Sequence, residues 1–150
     1  MREKQLNVLC LVMCSIEKSA SSAPAKDLYE SKRFRYDRDI AEREYGEWLI
    51  LSGRYGLVSP TRYLAPYNYD LETSGLIRRA WWVVRVAMQL FKIVGWRTPT
   101  IIGLRARGFY LEGALKALQF LGFRSNSQKP LDFYGSVLRV RGDVNGNTDF

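Results

Sequence analysis

Between the polar start Met-Arg-Glu-Lys and the hydroxyl-rich stretch SIEKSASSAP lies one compact apolar run, Leu6 to Cys14. Its length and its Val/Leu content suit a strand buried on both faces, as strands of parallel sheets are. Two further short runs read the same way: Glu47–Leu51 (EWLIL) and Thr100–Leu104 (TIIGL). Tyr134–Val140 reads as a fourth. Helical spacing fills the intervals. Phe34, Arg38, Ala41 and Tyr45 share a face of Ser31–Tyr45, with Gly46 as a stop. Leu76, Ala80, Val83, Ala87, Leu90 and Val94 share one in Leu76–Val94, and Tyr110–Leu121 is a further helix closed by Gly122. Ala25–Glu30 starts a short helix, and Thr61–Asp70 is irregular. Strands alternating with helices predict an α/β fold: a three-layer Rossmann-like open sheet, mostly parallel. No internal repeat or linker divides residues 1–150, so a single domain is expected, with 142–150 as a loose tail.

In such sheets ligands gather beyond the carboxyl ends of the strands. Those ends are Cys14-Ser15, Ser52-Gly53 and the segment from Leu104 onward, each followed by glycine, hydroxyl or basic residues. Ser52-Gly53-Arg54-Tyr55-Gly56-Leu57 is the richest. Gly53 and Gly56 permit positive φ or a close backbone approach, Ser52 offers a hydroxyl, and Arg54 a guanidinium suited to bidentate phosphate contact. The expected role is an anion or nucleotide cradle, although the spacing is neither that of a P-loop nor of a dinucleotide fingerprint. Ser15, Lys18 and Lys26 complete an anion site at the first strand's end, or form a solvated loop. Tyr67 and Tyr110 join the expected pocket.

The charge balance favours such a ligand. Lys and Arg number 23 against 15 Asp and Glu, a net charge of +8, which draws in phosphates. From Thr73 to Tyr110 there is no acidic residue at all. Arg78, Trp82, Arg85, Gln89 and Lys92 form one helical stripe, basic with an interleaved aromatic, as a phosphate-tracking and base-stacking surface requires. A membrane-surface helix would need a more exposed apolar face than a domain of this size can spare.

The sequence contains no histidine. That removes the commonest general acid/base, so any catalysis would rest on carboxylates, lysine or tyrosine, with Asp27, Glu47 and Asp70 as the local acids. Ser15, Lys18, Ser52, Tyr55 and Tyr67 are the candidate catalytic groups. Cys10 and Cys14, on one strand face about 13 Å apart, are too far apart to pair. No metal site or cofactor is expected. Cys14 reads as a small buried hydrophobe rather than a nucleophile. Unpaired cysteines and an apolar start too short for a signal peptide or a span point to a reducing, cytoplasmic location without membrane attachment.

LSGRYGLVSP followed by APYNYDL resembles the signature of the YaaA-like family: Leu51, Ser52, Gly53, Tyr55, Gly56, Leu57, Pro60, Pro66 and Tyr67 carry the likeness. Cys14-Ser15, Lys18, the AKDLYES run with Phe34, Arg107–Tyr110 and Pro130-Leu131 resemble elements of related small bacterial domains. The resemblance implies DNA binding and protection from oxidative damage, or proximity to nucleobase modification. No helix-hairpin-helix DNA-binding element of the longer members is found here. The first expectation is therefore a nucleic-acid-binding protein. The alternative is an enzyme acting on a nucleotide or nucleobase, at the N-glycosidic bond or by base modification. A structural or interaction domain, with aromatics packing a dimer interface, is the third, and the oligomeric state is left open.

Overall fold

The computed structural model describes residues 7–95, 100–125 and 136–141; the expected tail, 142–150, lies outside the described residues. The elements run β1 (Asn7–Met13), β2 (Ala23–Pro24), α1 (Ala25–Leu28), α2 (Lys32–Glu44), β3 (Glu47–Ser52), β4 (Gly56–Val58), β5 (Tyr63–Leu64), α3 (Leu76–Val94), β6 (Thr100–Arg105), α4 (Gly108–Phe120), β7 (Phe123–Ser125) and β8 (Ser136–Arg141). The fold is mixed α/β. A six-stranded sheet has the order β4-β3-β1-β6-β8-β7, and β2 pairs with β5 in a small separate ladder.

The expected first strand is the centre of the sheet. β1 runs parallel to β3 on one side and to β6 on the other. Leu9, Cys10, Leu11 and Val12 are all buried, so both faces of β1 are covered, which is why the run is continuously apolar. The fourth expected strand, β8, exists but is antiparallel to β6, as β4 is to β3 and β7 to β8. Parallel pairing is thus confined to the centre.

α2 begins where a serine can cap it: the Ser31 hydroxyl accepts from the Phe34 N–H at 3.1 Å. It ends on Tyr45, whose N–H bonds the Ala41 carbonyl. Gly46 is not in the left-handed region, so its expected role as a stop by conformation is not realised. α2 packs on β1 and β3, whereas α3 and α4 pack on each other. Buried Asp37 of α2 takes Arg105 of β6 at 2.7 Å and Arg33 at 3.0 Å, pinning the helix across the sheet.

α3 has the expected bounds but not the expected buried face. Trp82, Val83, Val86 and Leu90 are buried, while Leu76 and Ala80 are exposed. The helix is apolar nearly all round, so periodicity alone does not select which stripe meets the core. Trp82 is buried and packs edge-on against Tyr110, ring centroids 5.8 Å apart. Gly113 of α4 leaves the room: a Cβ there would sit 2.8 Å from the Trp82 ring.

Candidate functional site: a cleft where the strand order reverses

The chain leaves β1 for β3 on one side and later places β6 on the other, so the order reverses between β1 and β6. Crevices open at such points, beyond the carboxyl ends of the strands. A cleft of about 490 Å³ lies there. Met13, Cys14, Ser15 and Glu17 follow β1; Arg107, Gly108 and Tyr110 follow β6; Ser31, Arg33, Phe34 and Asp37 come from the start of α2. Tyr69, Asp70 and Glu72 close the rim. Arg107 is exposed, and no hydrogen bond or ion pair ties its guanidinium among the described residues. At the mouth of α4 the carboxylate of Glu72 accepts from the Phe109 N–H at 2.6 Å. The protein's own anion therefore satisfies that helix terminus.

The SGRYGL turn does not line this cleft and is held from within. Ser52 is fully buried. Its hydroxyl meets the Tyr67 hydroxyl at 2.7 Å and accepts from the Tyr55 N–H at 3.2 Å, and its carbonyl accepts from the Trp82 indole at 2.8 Å. Tyr67 in turn meets Tyr29 at 2.6 Å. Gly53 has no left-handed backbone, yet a Cβ there would lie 2.6 Å from the Tyr110 hydroxyl. Gly56 does have positive φ, 73°, and the side chain of Gln89 fills the space a Cβ would take. Gln89 accepts from the Leu57 N–H at 2.8 Å and donates to the Tyr55 carbonyl at 3.2 Å, and Arg85 donates to the Arg54 carbonyl at 2.7 Å. The expectation of an anion cradle at both glycines is therefore corrected. The approach they allow is to Tyr110 and Gln89, and Ser52 has no surface to offer a ligand.

What stays open around the turn is cationic. Lys18 lies 4.4 Å from the Tyr67 ring centroid, Arg54 5.4 Å from Tyr55, and Arg62 5.3 Å from Tyr55. Lys18 also donates to the Ile16 carbonyl at 3.1 Å, and Ser15 to the Glu17 carbonyl at 2.7 Å. Burial lowers the Lys18 pKa, opposed by the charge of Asp70. Lys26, on α1, does not line the cleft.

Cys14 joins the two halves. It is buried, 3.7 Å from the Tyr110 hydroxyl. Burial pushes its thiol pKa up against the lowering contributions of the Gly53 N–H, Tyr110 and Lys18, which leaves a neutral thiol and a poor nucleophile. Burial likewise raises Tyr67 and Tyr110, and takes Tyr29 to about 12. These hydroxyls keep their protons and serve as hydrogen-bonding groups. Of the expected acids only Asp70 reaches the cleft; Asp27 lies near Arg38 at 3.9 Å, and Glu47 starts β3 at its opposite end. Glu72, Arg33 and Tyr69 went unnoticed in the sequence. The signal for Glu72 and Tyr69 was their place beside Asp70, just after Pro66-Tyr67.

On α3 the expected base-stacking aromatic is corrected as well. Trp82 is 3% exposed and bonded to Ser52, so no base can stack on it. Arg78 and Lys92 are exposed, and Arg85 is partly spent on the turn. Among the described residues no helix is long and apolar enough to cross a membrane.

This geometry defines an α/β protein with a strand-end cleft. A family model matches residues 9–127, and the chain belongs to that family, described as a family of unknown function (DUF6884). No curated protein and no solved structure matches the chain significantly.

Proposed function

We propose that the protein binds a nucleotide or another nucleobase-bearing ligand in the cleft between β1 and β6. The observation carrying this reading is the make-up of the lining. Arg33 and Arg107 stand with the carboxylates of Asp70 and Glu72 and the partly exposed ring of Tyr69, over the buried rings of Phe34 and Tyr110. The flat ring of Tyr69 suits a base, carboxylates accept from its ring N–H and amino groups, and guanidinium groups donate to its carbonyls or to phosphate. The volume is that of an ordinary small-ligand site. We read the fold as Rossmann-like and three-layered, and the protein as cytoplasmic. The likeness to the YaaA-like signature supports a ligand from nucleic-acid metabolism. If the site is an enzyme's, proton transfer falls to Asp70 and Glu72, since Cys14 and the tyrosines keep their protons.

Thermal melting with nucleobases, nucleosides, mononucleotides and short DNA and RNA tests this. A mononucleotide at a hundred times its Kd should raise the melting temperature by about 5–10 °C. Arg107→Ala should leave the unliganded melting temperature unchanged while weakening binding by about 1.5–3 kcal/mol. No response to any monomer would sink the reading.

Nucleic acid itself is the second reading, favoured by exposed Arg78, Lys92 and Arg107 within a stretch that has no acid from Thr73 to Tyr110. Its signature is a response to polymers alone that falls steeply with salt.

A further inference from the structure

Opposite its buried face, α3 presents a second apolar stripe. Ile77, Trp81, Val84, Met88 and Phe91 are exposed, Ile77 by 75%, Trp81 by 67% and Met88 by 58%. Their spacing is four, three, four, three, the repeat of a coiled-coil seam, and it extends over about 21 Å, two heptads. Arg78, Arg85 and Lys92 follow the seam along one side, one per heptad, where a coiled coil carries its partner-selecting charges. The other side is small, with Ala80 and Ala87, and admits close approach. Trp81, Val84, Arg85, Met88 and Lys92 already frame a shallow groove of about 360 Å³. The surface that a domain of this size was not expected to spare is therefore present.

We propose that this face docks an acidic amphipathic helix of a partner protein, its apolar side chains in the seam and its carboxylates against Arg78, Arg85 and Lys92. The occupant follows from charge and shape. A seam with a 3.5-residue repeat is filled by another helix. α3 has no acidic residue of its own, so a second copy laid antiparallel on this face would set the same cations against each other. An α3-on-α3 pair therefore leaves these cations unneutralised, and we assign the neutralising charges to a helix of another protein. The site is independent of the strand-end cleft.

The test uses the whole protein and two designed helical peptides of three heptads with leucine in the seam. One carries glutamate at the flanking positions, the other lysine. The glutamate peptide should bind at least tenfold more tightly than the lysine peptide at low salt, with the gap narrowing as salt rises. Trp81→Glu with Met88→Glu should weaken it at least tenfold with the melting temperature unchanged. Arg78→Glu with Lys92→Glu, which spares Arg85 and the turn it holds, should reverse the preference. Several outcomes overturn the proposal: equal or absent binding of both peptides, or a dimer in sedimentation that Trp81→Glu dissociates. Binding to anionic phospholipid vesicles or to single-stranded nucleic acid that the same substitution abolishes does so too.

Discussion

Gly53 is the residue where the turn meets Tyr110, a ring that lines the cleft, and steric space rather than conformation makes it glycine. Its missing Cβ leaves room for the Tyr110 hydroxyl, on a ring too buried to swing aside. Gly53→Ala should therefore cost about 1–3 kcal/mol in urea denaturation. In a Tyr110→Phe background, where the hydroxyl is gone, the same alanine should cost markedly less. Equal costs in both backgrounds would show that the contact is not the reason for the glycine. Cys10 gives a second prediction at this scale. Burial, with the nearby charges of Asp37 and Glu44 and against that of Arg105, pushes its thiol from 9.0 up to about 12. The raised pKa means that this contribution to stability is complete below pH 9. It is lost as pH rises towards 12, because the unfolded thiol ionises while the folded one does not. Between those values stability should fall by about 1.4 kcal/mol per pH unit from this group alone. Urea titrations near pH 8 and pH 11 should show a shallower decline for Cys10→Ala than for the wild type.

At the level of elements, α3 is the clamp on the β3–β4 hairpin. Gln89 satisfies the Leu57 N–H and the Tyr55 carbonyl, and Arg85 the Arg54 carbonyl. Gln89→Ala strands a buried backbone N–H, at a cost of about 1–3 kcal/mol. Hydrogen exchange at the Leu57 amide should quicken more than exchange in β1. The same helix shows what a sequence reveals and what it withholds. The bounds of α3 were legible because glycines flank a long run free of breakers. Its buried face was not, because apolar residues occupy both sides and only contact with Tyr110 and Ser52 decides that Trp82, not Trp81, turns inward. The three central strands were readable from continuous apolar runs. β4 and β7 were too short to register, and the direction of β8 depends on a pairing no local pattern encodes. The site was half legible. The strand ends pointed to it, but the glycines of SGRYGL looked like room for a ligand and are room for Gln89 and Tyr110.

For the molecule as a whole, the Asp37 carboxylate is a buried ionic tie between its two sequence halves. It bonds Arg105 of β6 from within α2, with only 2% and 8% of the two side chains exposed. Asp37→Asn removes the buried carboxylate charge that faces both Arg105 and Arg33 and should cost about 3–5 kcal/mol, read as a lowered urea midpoint with unchanged slope. A loss under about 1 kcal/mol would mean that other groups carry the arginine. The sheet order has a consequence for how the chain comes into being. β1 is made before β3 and β6, yet it lies between them, and Asn7–Val12 must wait for Thr100–Arg105. On a ribosome, β1 stays half-paired until β6 has followed it out. Slow, non-local closure with an open apolar edge invites misassembly. Truncation after α3 should therefore yield a chaperone-dependent, aggregating fragment rather than a smaller folded protein.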